Sequence, residues 1–175
     1  MLNWSNVGDE SHFRASHFLI IVALFANKAR LIYSGIDMNP LNHPFVFHLV
    51  QAVQWQQAQS TGAVYFPPTY EQDGFTHGTS DPEKLLKVAN RFYARVAGDW
   101  LCLKMTVRRL AETGVQTVFE EAAPVGDIQP GDAGAASELF PHILGGIHPD
   151  AVIEVHAVAR DSAGNYLSIT GVTAT

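Results

Sequence analysis

The chain has 175 residues, enough for one domain with a substantial core and too few to expect two. A formal charge of −6 and 47% apolar residues exclude an extended nucleic-acid track, which needs a basic face, and exclude a disordered chain. A small nucleotide-like ligand at a local site remains compatible with both. The single cysteine, Cys102 in "WLCLKM", provides no disulfide framework and points to a reducing compartment, the cytoplasm.

Residues 1–43 read as an N-terminal extension, helical or poorly ordered. Its apolar run Phe18 to Ala26, "FLIIVALFA", falls well short of the roughly 20 residues of a spanning helix. Asp9 and Glu10 stand where a secretory leader carries basic residues, and no A-x-A site follows. A packed helix or an extension is expected, without stable membrane insertion. "SGIDMNPLNHP" is rich in turn formers and marks a linker. Residues 44–175 then form a single domain.

The domain opens with a strand at "PFVFHLV", apolar on both faces except for His48. "QAVQWQQAQSTG" follows as a short helix that stops at Gly62. The paired prolines of "AVYFPPTYEQDG" predict an extended piece and loop. Ser80 and Glu83 form a capping-box pattern, and Leu85, Val88, Ala89, Phe92 and Val96 repeat at helical spacing behind it. "DWLCLKMTV" and "VQTVFEEA" are strands with no helix expected between them. "AAPVGDIQPGDAGAAS" is a long loop with the length of a lid, and "LFPHILGGIHP" a turn-rich passage. "DAVIEVHAVAR" is a strand, and "DSAGNYLSI" a turn with a last strand. Strands outnumber helices and do not alternate with them, so the fold class is α+β and antiparallel-rich.

Eight histidines are present, and His48, His77 and His142 stand out by context. Taken singly, each also reads as a core or turn histidine with both nitrogens satisfied. A histidine metal site is a second reading, but the three offer no H-x-x-x-H or C-x-x-C spacing, so no metal ligand is assigned. A third reading is anion binding. After His77, "GTSDPE" places Thr79, Ser80 and backbone N–H groups at an expected helix start, which suits phosphate. Lys84, Lys87, Arg91 and Arg95 recur on the opposite face of that helix, as a solvated stripe or, at Arg91, as a phosphate partner. Strand parity puts Glu120 of "TVFEEA" on the same face as Val118. There it serves a pocket or lies on an edge.

Six motifs occur in order: "FHLV", Trp55, "DGFTH", "VANRFY", "FEE" and "FPHILGG". This succession, over roughly residues 45 to 160, resembles domain-of-unknown-function family 952. Two positions depart from the family's pattern, Thr76 in place of an apolar residue and Leu144 in place of a tyrosine, and Phe47 stands where RNA phosphotransferases carry arginine. The resemblance implies an ADP-ribosyltransferase-like fold, a small, split, strongly bent sheet with few helices around a cleft for NAD. It implies that His48 contacts a ribose and His77 a ribose or pyrophosphate. Glu120 would stabilise the oxocarbenium-like centre left when nicotinamide departs, and His142 would serve as acid or base. The function so implied is binding of NAD or an ADP-ribosylated ligand, with NAD as the substrate of an ADP-ribosyl-transferring or NAD-processing enzyme. A non-catalytic nucleotide-binding module is the alternative.

Overall fold

A computed structural model describes residues 44–131 and 138–173, all within the compact unit Leu41–Thr175. The expected N-terminal extension and residues 132–137 of the long loop lie outside the described residues. The elements in chain order are β1 (Val46–Gln51), α1 (Ala52–Thr61), α2 (Tyr70–Asp73), β2 (Thr76–His77), α3 (Leu85–Phe92), β3 (Trp100–Met105), α4 (Val107–Glu112), β4 (Thr117–Glu121), β5 (Leu139–Ile143), β6 (Glu154–Arg160) and β7 (Tyr166–Ile169). Short 3₁₀ turns lie at Pro82–Lys84 and Pro149–Ala151. The class is α+β, as the sequence predicts.

The strands form two antiparallel sheets. One has the order β1-β3-β6-β7 and the other β2-β5-β4. They are joined where Phe47 and Thr79 exchange both backbone hydrogen bonds, at 2.8 and 2.9 Å. His48 adds a side-chain stitch beside them: its Nδ1–H donates to the carbonyl of His77 at 2.7 Å.

Alternation along β1 divides the core in two. Val46 and Val50 join Trp55, Leu103, Met105, Leu110, Ile143 and Ile147 on one side. Phe47 and Leu49 join Leu85, Ala89, Trp100, Cys102, Tyr166 and Ile169 on the other. A strand covered on both faces carries apolar residues at every position, which is why "PFVFHLV" shows no polar alternation.

Several local expectations are corrected. The capping side chain before α3 is Asp81, not Ser80: its carboxylate accepts from the Glu83 N–H at 3.0 Å. Pro82 then opens a 3₁₀ turn, and the α-helix begins only at Leu85. It ends at Phe92, before Val96. The prolines at 67 and 68 do not prevent the single turn α2, which starts just beyond them and stops at Gly74, where φ is 80°. Helix α4 intervenes between β3 and β4, capped by the Thr106 hydroxyl on the Arg109 N–H at 3.1 Å.

The passage "LFPHI" is a strand, β5, and it is central in its sheet. Pro141 is tolerated there because β2 pairs only with His142 and Ile143. The Pro141 carbonyl on that side accepts from Gly78 N–H at 2.9 Å, and its missing N–H forgoes only the reciprocal bond to Gly78, just past the end of β2.

Two clamps tie the last hairpin to α3. The Asn90 amide donates to the Tyr166 carbonyl at 3.0 Å and accepts from the Tyr166 N–H at 2.8 Å. The Arg160 guanidinium gathers the carbonyls of Ala94, Val96, Gly98 and Gly164.

Gly146 sits under the segment that pairs Tyr65 with Ile147, and a Cβ there would lie 2.5 Å from the Tyr65 carbonyl oxygen. Gly146→Ala is expected to cost about 1–3 kcal/mol of unfolding free energy, measured by urea denaturation. His48 supplies a second prediction. It is only 4% exposed, and burial pushes its pKa down to about 4 from 6.5. The unfolded chain therefore binds the extra proton first as pH falls from 6.5. Stability is full above 6.5 and drops towards pH 4, by up to roughly 3 kcal/mol from this group. Urea titrations from pH 8 to 4 should show a shallower acid loss in His48→Gln than in the native chain.

Candidate functional site

Beneath the junction of the two sheets lies a narrow cavity of about 40 Å³, lined by Phe47, Leu49, Leu85, Val88, Phe92, Tyr93, Val125 and Phe140, with His77 and His142 as its imidazoles. By that measure it admits on the order of three waters, so only the end of a ligand enters the enclosed part. Among the described residues, no lysine, arginine, aspartate or glutamate lines it.

Strand pairing brings the histidines together. His77 on β2 and His142 on β5 are register partners, with ring centroids 5.8 Å apart. Each is held from behind by a carboxylate. His77 Nε2–H donates to Asp73 Oδ2 at 2.9 Å. Asp73, 5% exposed, also accepts from the Gly126 N–H at 3.1 and 3.2 Å. On β4, Val118 pairs with His142, so the parity expected from sequence turns Glu120 towards the same ring. Its Oε2 accepts from His142 Nδ1–H at 3.0 Å.

These bonds fix the tautomers of the neutral rings. Nδ1 of His77 and Nε2 of His142 are left as the lone-pair nitrogens. Nε2 of His142 is buried and has no hydrogen-bond partner. Phe75 stacks on the His142 ring at 4.0 Å and lies 4.5 Å from His77. Burial lowers the pKa of His77, with Asp73 opposing the shift and His142 adding to it. Burial raises that of Tyr93, reinforced by the Asp73 charge, so its phenol is a proton-bearing donor at neutral pH.

The other sequence-derived candidates fall elsewhere. Glu120 is not in the cavity wall: its side chain is 62% exposed and engaged with His142. It therefore positions an imidazole rather than facing a reacting centre. His48 points to the opposite face of β1 from Phe47 and Leu49, beside Tyr65 at 5.6 Å, with Nε2 buried and unpartnered.

Thr79 lines the cavity, but its N–H and C=O are spent on Phe47, and the Gly78 N–H on Pro141. The helix start expected at Ser80 lies further on, at Leu85. The backbone donors of Gly78 and Thr79 are thus already occupied, whereas the Ser80 hydroxyl is buried without a hydrogen-bond partner. Arg91 donates through Nε and Nη2 to the Gln129 carbonyl at 2.9 and 2.7 Å. With Asp73 and the Gln72–Asp127 bond of 2.9 Å, it holds the described part of the long loop, whose Ala122, Ala123, Val125 and Pro130 form one wall.

Gly78 is required here, since a Cβ would meet the Pro141 oxygen at 2.9 Å and Val46 Cγ1 at 3.0 Å. Sequence reasoning missed Asp73, Phe75 and Tyr93. Asp73 and His77 are four apart in "DGFTH", and that spacing was the available signal. Among the described residues no group of three metal-ligating side chains converges, and no helix is long and apolar enough to cross a membrane.

The solved structure of protein CC0527 from Caulobacter crescentus is similar in fold, with a TM-score of 0.53, 16% identity, and coverage of 70% of this chain and 93% of that one. A double mutant of the same protein gives a TM-score of 0.53 at 15% identity, again over 70% and 93%. No curated protein matches the chain. The family model described as "Protein of unknown function (DUF952)" matches residues 49–155. This span contains His77, Asp73, Glu120 and His142 together, and by it the chain belongs to that family.

Proposed function

We propose that the chain is a small-molecule enzyme whose base is Nε2 of His142, and that its substrate is NAD or an ADP-ribosylated compound. The observation that carries the catalytic part is the Glu120–His142 pair: a buried imidazole that lines the cavity, with one nitrogen fixed by a carboxylate and the other unpartnered. Such a nitrogen is arranged to take a proton.

The substrate class rests on two supports. One is the ordered resemblance to domain-of-unknown-function family 952, which implies an ADP-ribosyltransferase-like fold around a cleft for NAD. The other is the aromatic and aliphatic wall, which suits a planar ring.

In this reading, water or an acceptor hydroxyl attacks the ribose carbon that bears nicotinamide. Its proton passes to His142 Nε2. The electron pair of the breaking C–N bond leaves with the ring, which departs neutral. Glu120 holds the His142 tautomer and stabilises the imidazolium formed. His77, held by Asp73, supplies a second polar contact, and Thr79 lies along the wall. Ser80 and Arg91 have no direct part, and His48 acts only through the His77 backbone.

Nicotinamide release from NAD, followed by chromatography, tests the reading. His142→Ala is expected to lower the rate by about 10²–10⁴-fold. Glu120→Gln is expected to lower it less and to alter the pH profile. Saturable NAD binding without any release would make the chain a binding module instead.

A further inference from the structure

The polar end of the cavity has an electrostatic character opposite to that of a phosphate site. Both imidazoles give their N–H to carboxylates, His77 to Asp73 and His142 to Glu120. Each neutral ring therefore turns a lone pair, not a proton, to its remaining side. Behind the two rings stand two negative charges, each within 3.0 Å of an imidazole nitrogen.

Among the described residues no compensating cation lines the space. The nearest candidates on the adjoining turn and helix are committed. Lys84 is bonded to Glu138 and lies 3.9 Å from Asp81, and Arg91 is bonded to the Gln129 carbonyl. The backbone donors at Gly78 and Thr79 are likewise used. The hydroxyl-bearing Thr79 and Tyr93 also line the space, but they carry no positive charge; two acceptors backed by negative charge, inside low-dielectric aromatic walls, favour a donor or a cation and oppose an anion.

We infer that the group admitted to the cavity is a small head bearing a positive charge or N–H donors, such as an ammonium, an amide or a cationic ring nitrogen, and that phosphate-like and carboxylate groups are excluded from it. This rests on the assignment of the cavity as the site and adds the chemical class of what enters. Any phosphate of a larger ligand would remain outside, away from His77. The unpartnered Nε2 of His142 is the acceptor that the entering donor satisfies, and it relieves the cost of burying that nitrogen.

The test uses three probes of matched shape: n-propylammonium, propionamide and propionate, with inorganic phosphate as a fourth. Each is titrated into the full chain at pH 8 while the side-chain ¹⁵N signals of the histidines are followed by NMR. Propylammonium and propionamide should shift His142 and His77 saturably, whereas propionate and phosphate should bind at least about tenfold more weakly or leave both unchanged. The solvent-exposed Glu120→Gln should narrow the preference for propylammonium over propionate while leaving the fold intact by circular dichroism.

The inference is overturned if propionate or phosphate binds as well as the ammonium, or if no donor probe moves either histidine. The probes carry no glycosidic bond, so a failure to process NAD leaves this result standing. Turnover of NAD combined with anion preference would sink the inference alone.

Discussion

The reciprocal backbone pairing of Phe47 with Thr79 is the constraint on which the molecule depends. It joins the two sheets at a single residue pair, and the His48 bond to the His77 carbonyl fixes the next step of the chain. With that register set, Phe47 and Leu49 face the cavity and His48 faces the opposite core. A shift by one residue would exchange those faces. It would place a histidine among Leu85 and Ala89, and a phenylalanine ring against Tyr65. The buried His48 is thus best understood as part of the joint between sheets, with its acid sensitivity a consequence of that position.

The same joint explains why the site is built from short pieces. Strand β2 has two residues, yet they place His77 beside His142, and the turn before them supplies Asp73 four residues earlier. On the other flank, the β4–β5 register delivers Glu120 to the same pair. Backbone pairing therefore sets the position of both imidazoles, while carboxylates from outside the cavity set their tautomers. Apart from these imidazoles, Thr79 and Tyr93, the described cavity wall is apolar, so water is scarce around the unpartnered Nε2 of His142.

Much of the fold was legible where one physical signal dominated. The two-sided apolar strand at β1, the αL stop at Gly62 and the turn before β7 all follow from residue types acting locally. Helix α4 was missed although Thr106, Leu110 and Gly114 mark its cap, buried face and exit, because the apolar run before it invites an extension of the strand. Strand β5 was missed because Pro141 argues against a central strand, and only the shortness of β2 removes the objection. At the site, parity placed Glu120 on the Val118 face of its strand, the face that meets His142. The sequence could not say that the carboxylate stops at His142 rather than reaching a ligand. That depends on β4–β5 pairing across a gap of about twenty residues, and no local pattern encodes it. Nor does the local pattern of "HGTS" reveal that the Gly78 and Thr79 N–H groups are taken up by Pro141 and Phe47, partners distant in the chain.

The Asn90 side chain has a meaning beyond holding α3 to the hairpin. Strand β7 is the edge of its sheet, and an edge strand offers its backbone to any passing chain. By bonding both the N–H and the C=O of Tyr166, one amide imitates a neighbouring strand at that position without extending the sheet. The asparagine of "VANRFY" is in this sense a stopper against self-association. Its loss through deamidation would replace a donor with a charge and reopen a pairing site, so chemical ageing at one helix residue would be felt as stickiness at a strand some distance away in sequence.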